Sequence, residues 1–154
     1  MAELGLFLFW SLCPIVQKSF SNKPKDFRPQ EKGITFYYFR RSPCARRVWM
    51  VLLRNGVQFK GVEVNLLKGE QRTSSFLQLN PQGKVPILVV KNVPNTPDCV
   101  LYESSAIVLF VEEQFGGGLV PSNPVHRTEM RMWMNWFLES SRDRPTPLSL
   151  LGSL

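Results

Sequence analysis

The motif Ser42-Pro43-Cys44 has residue types that could stabilise an anion at the start of a helix. Proline suits the first helical position, and a serine before it can accept a hydrogen bond from a free backbone N–H. The positive end of the helix dipole and a donating hydroxyl both favour a thiolate over a thiol. Lowering the pKa of a thiol from about 8.5 by one unit requires about 1.4 kcal/mol. Ser42 is therefore a candidate for thiolate stabilisation, and the alternative is that Ser42 only caps the helix.

Cys44 lies in the first turn of the same predicted helix, a position that is typical of reactive thiols. Two interpretations of Cys44 stay open, a reactive thiol and a buried structural cysteine. The three cysteines, Cys13, Cys44 and Cys99, form no Cys-x-x-Cys pair and have no metal-ligand spacing. The sequence therefore predicts no metal site, and an odd number of cysteines without a disulfide framework favours a reducing, cytoplasmic location.

Pro86 stands at the head of an apolar run within the segment 80–88. Because proline donates no backbone hydrogen bond, it is out of place inside a paired strand. A cis bond between Val85 and Pro86 at the strand start resolves this conflict, since X–Pro bonds tolerate the cis form. That arrangement would leave the N–H and C=O groups of Val85 free to pair with an extended peptide, as an added strand does.

Hydrophobic patterns place these motifs on alternating strands and helices. A crossover through a helix predicts that the first two strands are parallel, and a proline-containing turn predicts that the last two strands form a hairpin. The predicted order is a strand over 34–39, a helix ending at Asn55-Gly56, a strand over 62–66, a short helix over 74–79, strands over 85–90 and 99–102, and a helix ending at Gly116.

This order, βαβ followed by a short helix and ββα, is that of a thioredoxin-like α/β domain. Such a domain is a mixed four-stranded sheet with helices on both faces, and we assign it to residues 33–118. Residues 119–154 begin with a linker and end in an unpatterned tail. Between them lies a predicted helix with one apolar face, which we interpret as the first helix of an incomplete all-α domain. The face consists of Met130, Trp133, Met134 and Phe137.

Residues 1–32 are predicted to lie outside the fold. Residues 4–16 are almost wholly apolar but too few for a comfortable transmembrane helix. Residues 17–32 are rich in Lys, Pro, Ser and Asn, which is typical of a linker. Three interpretations of the apolar segment stay open: an untranslated leader, a signal peptide and a segment in contact with a membrane.

The net charge of +7 has one concentration, a short segment with Arg40, Arg41, Arg46 and Arg47. A cluster this basic suits an anionic small molecule, and the alternative is a solvated surface. No alternation of basic and aromatic residues supports nucleic-acid binding, so we expect no nucleic-acid partner. The only histidine, His126, has no second metal ligand and is interpreted as a surface residue.

Three motifs taken together resemble the cytosolic glutathione S-transferase superfamily, in particular its serine-type classes (phi, tau, zeta and theta). The resemblance covers residues 34–138 and implies that the thioredoxin-like domain is a glutathione-binding N-terminal domain. The motifs are Ser42-Pro43-Cys44, Leu79-Asn80-Pro81-Gln82-Gly83-Lys84-Val85-Pro86 and Glu103-Ser104-Ser105-Ala106-Ile107.

The resemblance implies roles for the central residues of a glutathione site that uses no metal. In serine-type members of the superfamily, a serine at the position of Ser42 donates a hydrogen bond to the glutathione sulfur. The backbone groups before the cis-proline, here Val85 and Pro86, hold the cysteinyl backbone of glutathione.

The resemblance also implies residues for the two ends of the tripeptide. Glu103 meets the ammonium of the γ-glutamyl end, and the Ser104 hydroxyl meets its carboxylate, although Ser104 could equally be an ordinary helix cap. Lys84 aligns with a residue that contacts the glycyl carboxylate, and Gln71 and Arg72 lie where related chains place a polar or basic pair for the same group.

The implied activity is conjugation of glutathione, as co-substrate, to a small hydrophobic electrophile, a reaction of the detoxification type carried out by dimeric enzymes. The alternative is a catalytically weak truncated form that acts as a glutathione-binding or protein-interaction module, in a homodimer or a heterodimer with a related transferase. A third hypothesis is a thiol oxidoreductase that relies on Cys44.

Overall fold

The computed structural model describes the backbone of residues 25–143 and the side chains of residues 25–137. The apolar segment 4–16, with Cys13, and the tail after Asp143 lie outside the described residues. Among the described helices, none combines the length and the apolar composition needed to cross a bilayer.

Four strands form one mixed sheet: β1 (Gly33–Tyr38), β2 (Lys60–Glu63), β3 (Ile87–Lys91) and β4 (Cys99–Tyr102). Their spatial order is β2-β1-β3-β4. β1 and β2 are parallel, whereas β1 pairs with β3 and β3 pairs with β4 in antiparallel orientation. The predicted parallel crossover and the predicted hairpin are both confirmed.

The α-helices of the described residues are α1 (Pro43–Arg54), α2 (Ser74–Leu77), α3 (Ser104–Phe115) and α4 (Pro124–Asp143). Two 3₁₀ turns, Leu66–Lys68 and Glu70–Arg72, connect β2 to α2. The predicted strand over 62–66 starts and ends too late. β2 ends at Glu63 because the Asn65 side chain accepts hydrogen bonds from the N–H groups of Leu67 and Lys68, at 3.1 and 3.2 Å, and so starts the first 3₁₀ turn.

Alternating side chains of the strands fill two separate cores, one on each face of the sheet. α1 and α3 cover one face, and α2 covers the other, so helices lie on both faces as a thioredoxin-like fold requires. The first core contains Ile34, Phe36, Tyr38, Leu88 and Val90 from the sheet with Ala45, Val48, Leu52, Ile107 and Val111 from the helices. The second core contains Phe27, Tyr37, Val64, Phe76, Ile87 and Val89.

Residues 25–32, here called the N-terminal strap, belong to the packed domain, so the prediction that residues 1–32 lie outside the fold is wrong for this part. Phe27 is 1% exposed, and its ring packs against that of Phe76 with 5.2 Å between centroids. The Tyr37 hydroxyl donates a 2.6 Å hydrogen bond to the Phe27 carbonyl. Burial of one aromatic ring stabilises by about 1.5–3 kcal/mol, so Phe27 is an anchor of the strap on the sheet.

The C-terminal ends of α1 and α3 are joined by a buried polar contact. The Asn55 side-chain amide donates a 2.6 Å hydrogen bond to Glu112 Oε1, and Glu112 is 4% exposed. Gly116 allows this approach, since a Cβ atom at that position would lie 2.5 Å from Asn55 Oδ1. Oε2 of Glu112 has no hydrogen-bond partner among the described residues.

α4 presents aromatic side chains that the described part of the chain leaves exposed. Trp133 is 68% exposed and Phe137 59% exposed, and the Trp133 and Trp136 rings stack edge to face. The Arg47 guanidinium lies 5.7 Å from the centre of the Phe137 ring and provides one contact between α1 and α4. The interpretation of α4 as the first helix of an incomplete all-α domain stays a prediction.

Candidate functional site

Strand register brings three of the predicted motifs to one end of the sheet. Tyr37, near the end of β1, pairs with Ile87, the first residue of β3, and Ile87 also pairs with Tyr102, the last residue of β4. The residues that follow β1, precede β3 and follow β4 therefore leave the sheet side by side. These residues include Ser42, Val85 with Pro86, and Glu103 with Ser104.

Ser42 caps α1 and keeps its hydroxyl proton available. Its backbone is extended, with φ of −77° and ψ of 119°, and its Oγ accepts a 3.3 Å hydrogen bond from the Ala45 N–H. The Ser42 N–H donates to the Phe39 carbonyl at 2.9 Å, which fixes the turn from β1 into α1. A hydroxyl that accepts one hydrogen bond can still donate its own proton, so the capping and anion-stabilising interpretations of Ser42 are compatible.

The described cysteines lie in different surroundings. Cys44 is half-buried in the first turn of α1, two residues after Ser42. Cys99 is half-buried in β4, where burial and the nearby Asp98 carboxylate raise the pKa of its thiol. Neither forms a disulfide within the described residues, and no cluster of three or more His, Cys, Asp or Glu side chains there could hold a metal ion.

Asn80 shapes the loop that leads into β3. Its side-chain amide donates a 2.9 Å hydrogen bond to the Lys84 carbonyl, and its Oδ1 accepts one of 3.0 Å from the Gln82 N–H. The Asn80 carbonyl accepts a third from the Gly83 N–H at 2.9 Å. Asn80 is 2% exposed, so these bonds are shielded from water. Sequence reasoning named Asn80 only as part of a motif and missed this role, although an Asn-Pro-x-Gly run is a turn signal.

The Val85–Pro86 peptide bond is cis, as the sequence predicts. Ladder pairing of β3 starts at Ile87, and within residues 25–143 the N–H and C=O groups of Val85 have no hydrogen-bond partner. Val85 is half-buried, and these two backbone groups continue a central strand beyond its last ladder pair. Such a pair can receive one residue of an extended peptide in strand-like pairing.

Gly83 lies against the turn that carries the predicted residues Gln71 and Arg72, and it directly precedes the predicted residue Lys84. A Cβ atom at Gly83 would lie 3.0 Å from the Gln71 carbonyl oxygen and 3.2 Å from Arg72 Nη1. The turn Glu70–Arg72 is therefore packed directly on the loop that precedes Lys84. Gln71 donates a 3.4 Å hydrogen bond from Nε2 to the Leu66 carbonyl, while its buried Oε1 has no partner among the described residues.

Glu103 has a backbone conformation that side chains rarely adopt, with φ of 71° and ψ of 112°. A non-glycine residue in such a conformation costs about 1–3 kcal/mol, and such strain persists where the surrounding structure enforces it, often at functional sites. The Glu103 side chain is exposed, and its carbonyl accepts a 3.0 Å hydrogen bond from the Ile107 N–H in α3. Ser104, the first residue of α3, is 5% exposed.

Charged side chains surround the turn between β1 and α1. Arg40 Nε lies 3.1 Å from Glu63 Oε1, and Arg46 Nε donates a 2.8 Å hydrogen bond to the Arg40 carbonyl. Arg41 is exposed beside Ser42. This end of the sheet therefore combines a positive surface with free backbone hydrogen-bonding groups, which suits a small anionic peptide.

A model of the glutathione S-transferase N-terminal domain matches residues 41–114, the segment that holds every predicted site residue. The chain belongs to the cytosolic glutathione S-transferase superfamily. The matched segment runs from the turn before α1 to the last turn of α3 and contains every element of the thioredoxin-like domain after β1.

Named glutathione S-transferases are among the chain's relatives. Glutathione S-transferase Z1 of Arabidopsis thaliana is 38% identical over 85 residues, which are 55% of this chain and 36% of that protein. The maleylacetoacetate isomerase of Emericella nidulans is 31% identical over 104 residues, 64% of this chain and 45% of that protein. The structure of human glutathione transferase theta-2, in complex with glutathione and an unknown ligand, superposes with a TM-score of 0.60 at 28% identity, over 70% of this chain and 42% of that one.

The chain spans less than half the length of each of these three proteins. The matches therefore establish superfamily membership and a fold with a four-stranded mixed sheet. The residues that sequence reasoning assigned to a glutathione site all lie within the part that glutathione S-transferases share.

Proposed function

We propose that this chain binds glutathione at the end of the sheet described above and activates its thiol for conjugation to a small hydrophobic electrophile. The observation that carries the proposal is the strand register, which pairs Tyr37 with Ile87 and Ile87 with Tyr102. The segments that contain Ser42, Val85 and Glu103 therefore leave the same end of the sheet, although they are far apart in sequence. Membership of the superfamily supports it, as does the glutathione complex of the structural relative theta-2.

The cysteinyl residue of glutathione pairs with the free N–H and C=O groups of Val85. This pairing extends β3 by one short strand and points the cysteinyl side chain toward the start of α1. There the Ser42 hydroxyl donates a hydrogen bond to the sulfur, and the N-terminus of α1 adds its dipole. The thiol releases its proton to solvent, the bound thiolate attacks the electrophilic carbon, and the leaving group departs with the bonding electrons.

Each end of the tripeptide has complementary charge in reach. Glu103 receives the γ-glutamyl ammonium, while the Ser104 hydroxyl and the first N–H groups of α3 receive the α-carboxylate. At the other end, Lys84 and Arg72 attract the glycyl carboxylate, with Gln71 beside them. The strained backbone of Glu103 fits this proposal because such strain is often found at functional sites.

The reaction consumes reduced glutathione, so the proposal includes a reducing compartment such as the cytoplasm. The described residues offer no metal cluster, and the proposed chemistry uses none.

A calorimetric titration and a thermal melt with glutathione test the binding part of this proposal. Glutathione at about 100 times its dissociation constant is expected to add about 2.7 kcal/mol to the free energy of unfolding and to raise Tm by several degrees. A melt that does not move, together with no heat of binding, would refute it.

Turnover of an activated aryl halide tests the chemical part. Ser42→Ala is expected to lower kcat about 100-fold, as loss of one donor to a developing anion does, while the glutathione Kd stays within about threefold. Ser122→Ala, in the exposed loop before α4, is the matched control and is expected to keep full activity. Loss of activity in Cys44→Ala with full activity in Ser42→Ala would instead support a thiol oxidoreductase.

A second candidate function is a glutathione-binding or protein-interaction module. The exposed Trp133, Trp136 and Phe137 side chains on α4 favour it, because monomeric proteins rarely leave such a cluster uncovered. A homodimer or a heterodimer with a related transferase would bury them. Co-purification with a full-length transferase, without turnover by the isolated chain, would support this candidate over an independent enzyme.

A further inference from the structure

The N-terminal strap contacts the segment 66–79, which carries Gln71 and Arg72. The Lys25 ammonium donates a hydrogen bond to the Glu63 carbonyl and lies 3.4 Å from Glu70 Oε2. The Ser75 hydroxyl, in α2, donates a 3.4 Å hydrogen bond to the Lys25 carbonyl. Lys25 thus reaches the end of β2, the second 3₁₀ turn and α2.

Glu70 is the central residue of these contacts. Its Oε2 accepts a 2.8 Å hydrogen bond from the Asn65 N–H as well as meeting Lys25, and its carbonyl accepts one of 2.9 Å from the Thr73 hydroxyl. Glu70 immediately precedes Gln71 and Arg72, which we propose bind the glycyl carboxylate. The position of Glu70 therefore determines the positions of both residues.

The strap is fixed on the sheet independently of Lys25. Phe27 is buried between Tyr37 of β1 and Phe76 of α2, and the Gln30 N–H donates a 3.2 Å hydrogen bond to the Thr35 hydroxyl. The Phe27 ring therefore joins α2 to β1, and the strap is attached at both of its ends.

Segment 66–79 needs such support because its own secondary structure is weak. It consists of two three-residue 3₁₀ turns and the four-residue helix α2. Elements this short are not stable alone, and their order comes from packing. The family match begins at residue 41, so the strap precedes the part that the superfamily model describes.

We propose that the N-terminal strap is a positioning element for glutathione binding: it holds segment 66–79 against the sheet and keeps Gln71 and Arg72 beside Lys84. This inference rests on the proposed glutathione site. Lys25 and Phe27 touch no part of that site and act through Glu70 and Phe76. The strap determines the fraction of molecules in which Gln71 and Arg72 are ordered. The apparent Kd for glutathione rises as that fraction falls.

The experiment compares Lys25→Met with Lys32→Met in the full chain. Both substitutions remove one exposed cation from the strap, but Lys32 makes no polar contact among the described side chains. Lys25→Met is expected to raise the glutathione Kd about fivefold, as a drop of the ordered fraction to one fifth would do. It is also expected to speed hydrogen exchange in residues 66–79, while kcat at saturating glutathione stays unchanged.

Phe27→Leu is the second variant and is expected to speed exchange in the same segment more than Lys25→Met does. The inference would be overturned if both variants kept the hydrogen exchange of residues 66–79 and the glutathione Kd of Lys32→Met. If the unmodified chain bound no glutathione, the proposed function would fail instead. The exchange comparison would still decide whether the strap orders segment 66–79.

Discussion

Gly83→Ala is the sharpest test of how the loop before β3 and the turn Glu70–Arg72 fit together. Gly83 has φ of 62°, and its missing side chain leaves room for the Gln71 carbonyl oxygen at 3.0 Å from where Cβ would lie. Gly69 is the matched control. Its φ is 72°, but a Cβ atom there would meet nothing within 4 Å. Both substitutions therefore carry the cost of a side chain at positive φ. Only Gly83→Ala also creates a close contact, with the Gln71 carbonyl oxygen.

The expected magnitudes follow from these two geometries. A left-handed conformation costs an L-residue about 1–2 kcal/mol, so Gly69→Ala should lower the free energy of unfolding by about that amount. Gly83→Ala carries the same cost plus about 1–3 kcal/mol of overpacking, because the neighbour is backbone and must move. The displaced turn takes Arg72 away from Lys84. Loss of one charged hydrogen bond to the ligand would weaken glutathione binding about tenfold.

Urea unfolding of both variants measures the first effect, and calorimetric titration with glutathione measures the second. Equal losses of stability in Gly83→Ala and Gly69→Ala, with equal glutathione affinities, would show that the close contact between the loop and the turn carries no energy. That result would also remove the structural reason for grouping Arg72 with Lys84.

Three further outcomes are expected. Asn55→Ala leaves the buried Glu112 carboxylate without its partner and should lower the free energy of unfolding by about 2–4 kcal/mol, measured by urea denaturation. Gln58→Ala is the control, because Gln58 is exposed and its side chain makes no hydrogen bond among the described residues. Burial raises the pKa of Tyr37 to about 12. Between about pH 10 and 12 only the unfolded chain ionises this tyrosine, so the free energy of unfolding should fall as the pH rises through that range. Tyr37→Phe should reduce this fall, which melts at a series of pH values measure. Ser42→Ala should move the rise of the conjugation rate to higher pH by about one unit or more, and an unmoved pH profile would contradict thiolate stabilisation by Ser42.

The sequence was most informative where a pattern repeats or a residue type is restrictive. Pro43 predicts the first residue of α1, and the proline-containing turn over 92–98 predicts the return of the chain in β4, with its observed bounds. Pro86 predicts the cis bond, because a proline cannot donate within the ladder. The topology followed from these elements and from the rule that a helical crossover joins parallel strands.

Features that depend on contacts between distant residues could not be predicted. Phe27 is a single aromatic residue in a polar segment, and its burial requires the surface formed jointly by Tyr37 and Phe76. The positive φ of Glu103 contradicts the preference of its residue type and is enforced by the junction of β4 and α3. The approach of Gln71 to Gly83 is a loop contact with no periodic signal in the sequence.

The strand register that assembles the site also has a kinetic consequence. Ile87 and Tyr102 are about 15 residues apart and close a local hairpin, whereas Tyr37 and Ile87 are about 50 residues apart and close a long loop. Loop-closure entropy therefore favours the hairpin as the earlier event and pairing of the central strands as the later one. The proposed glutathione site would form only after both, since it needs groups from all three strand ends. Glutathione is accordingly expected to slow unfolding far more than it accelerates folding, so that occupancy would extend the lifetime of the native chain.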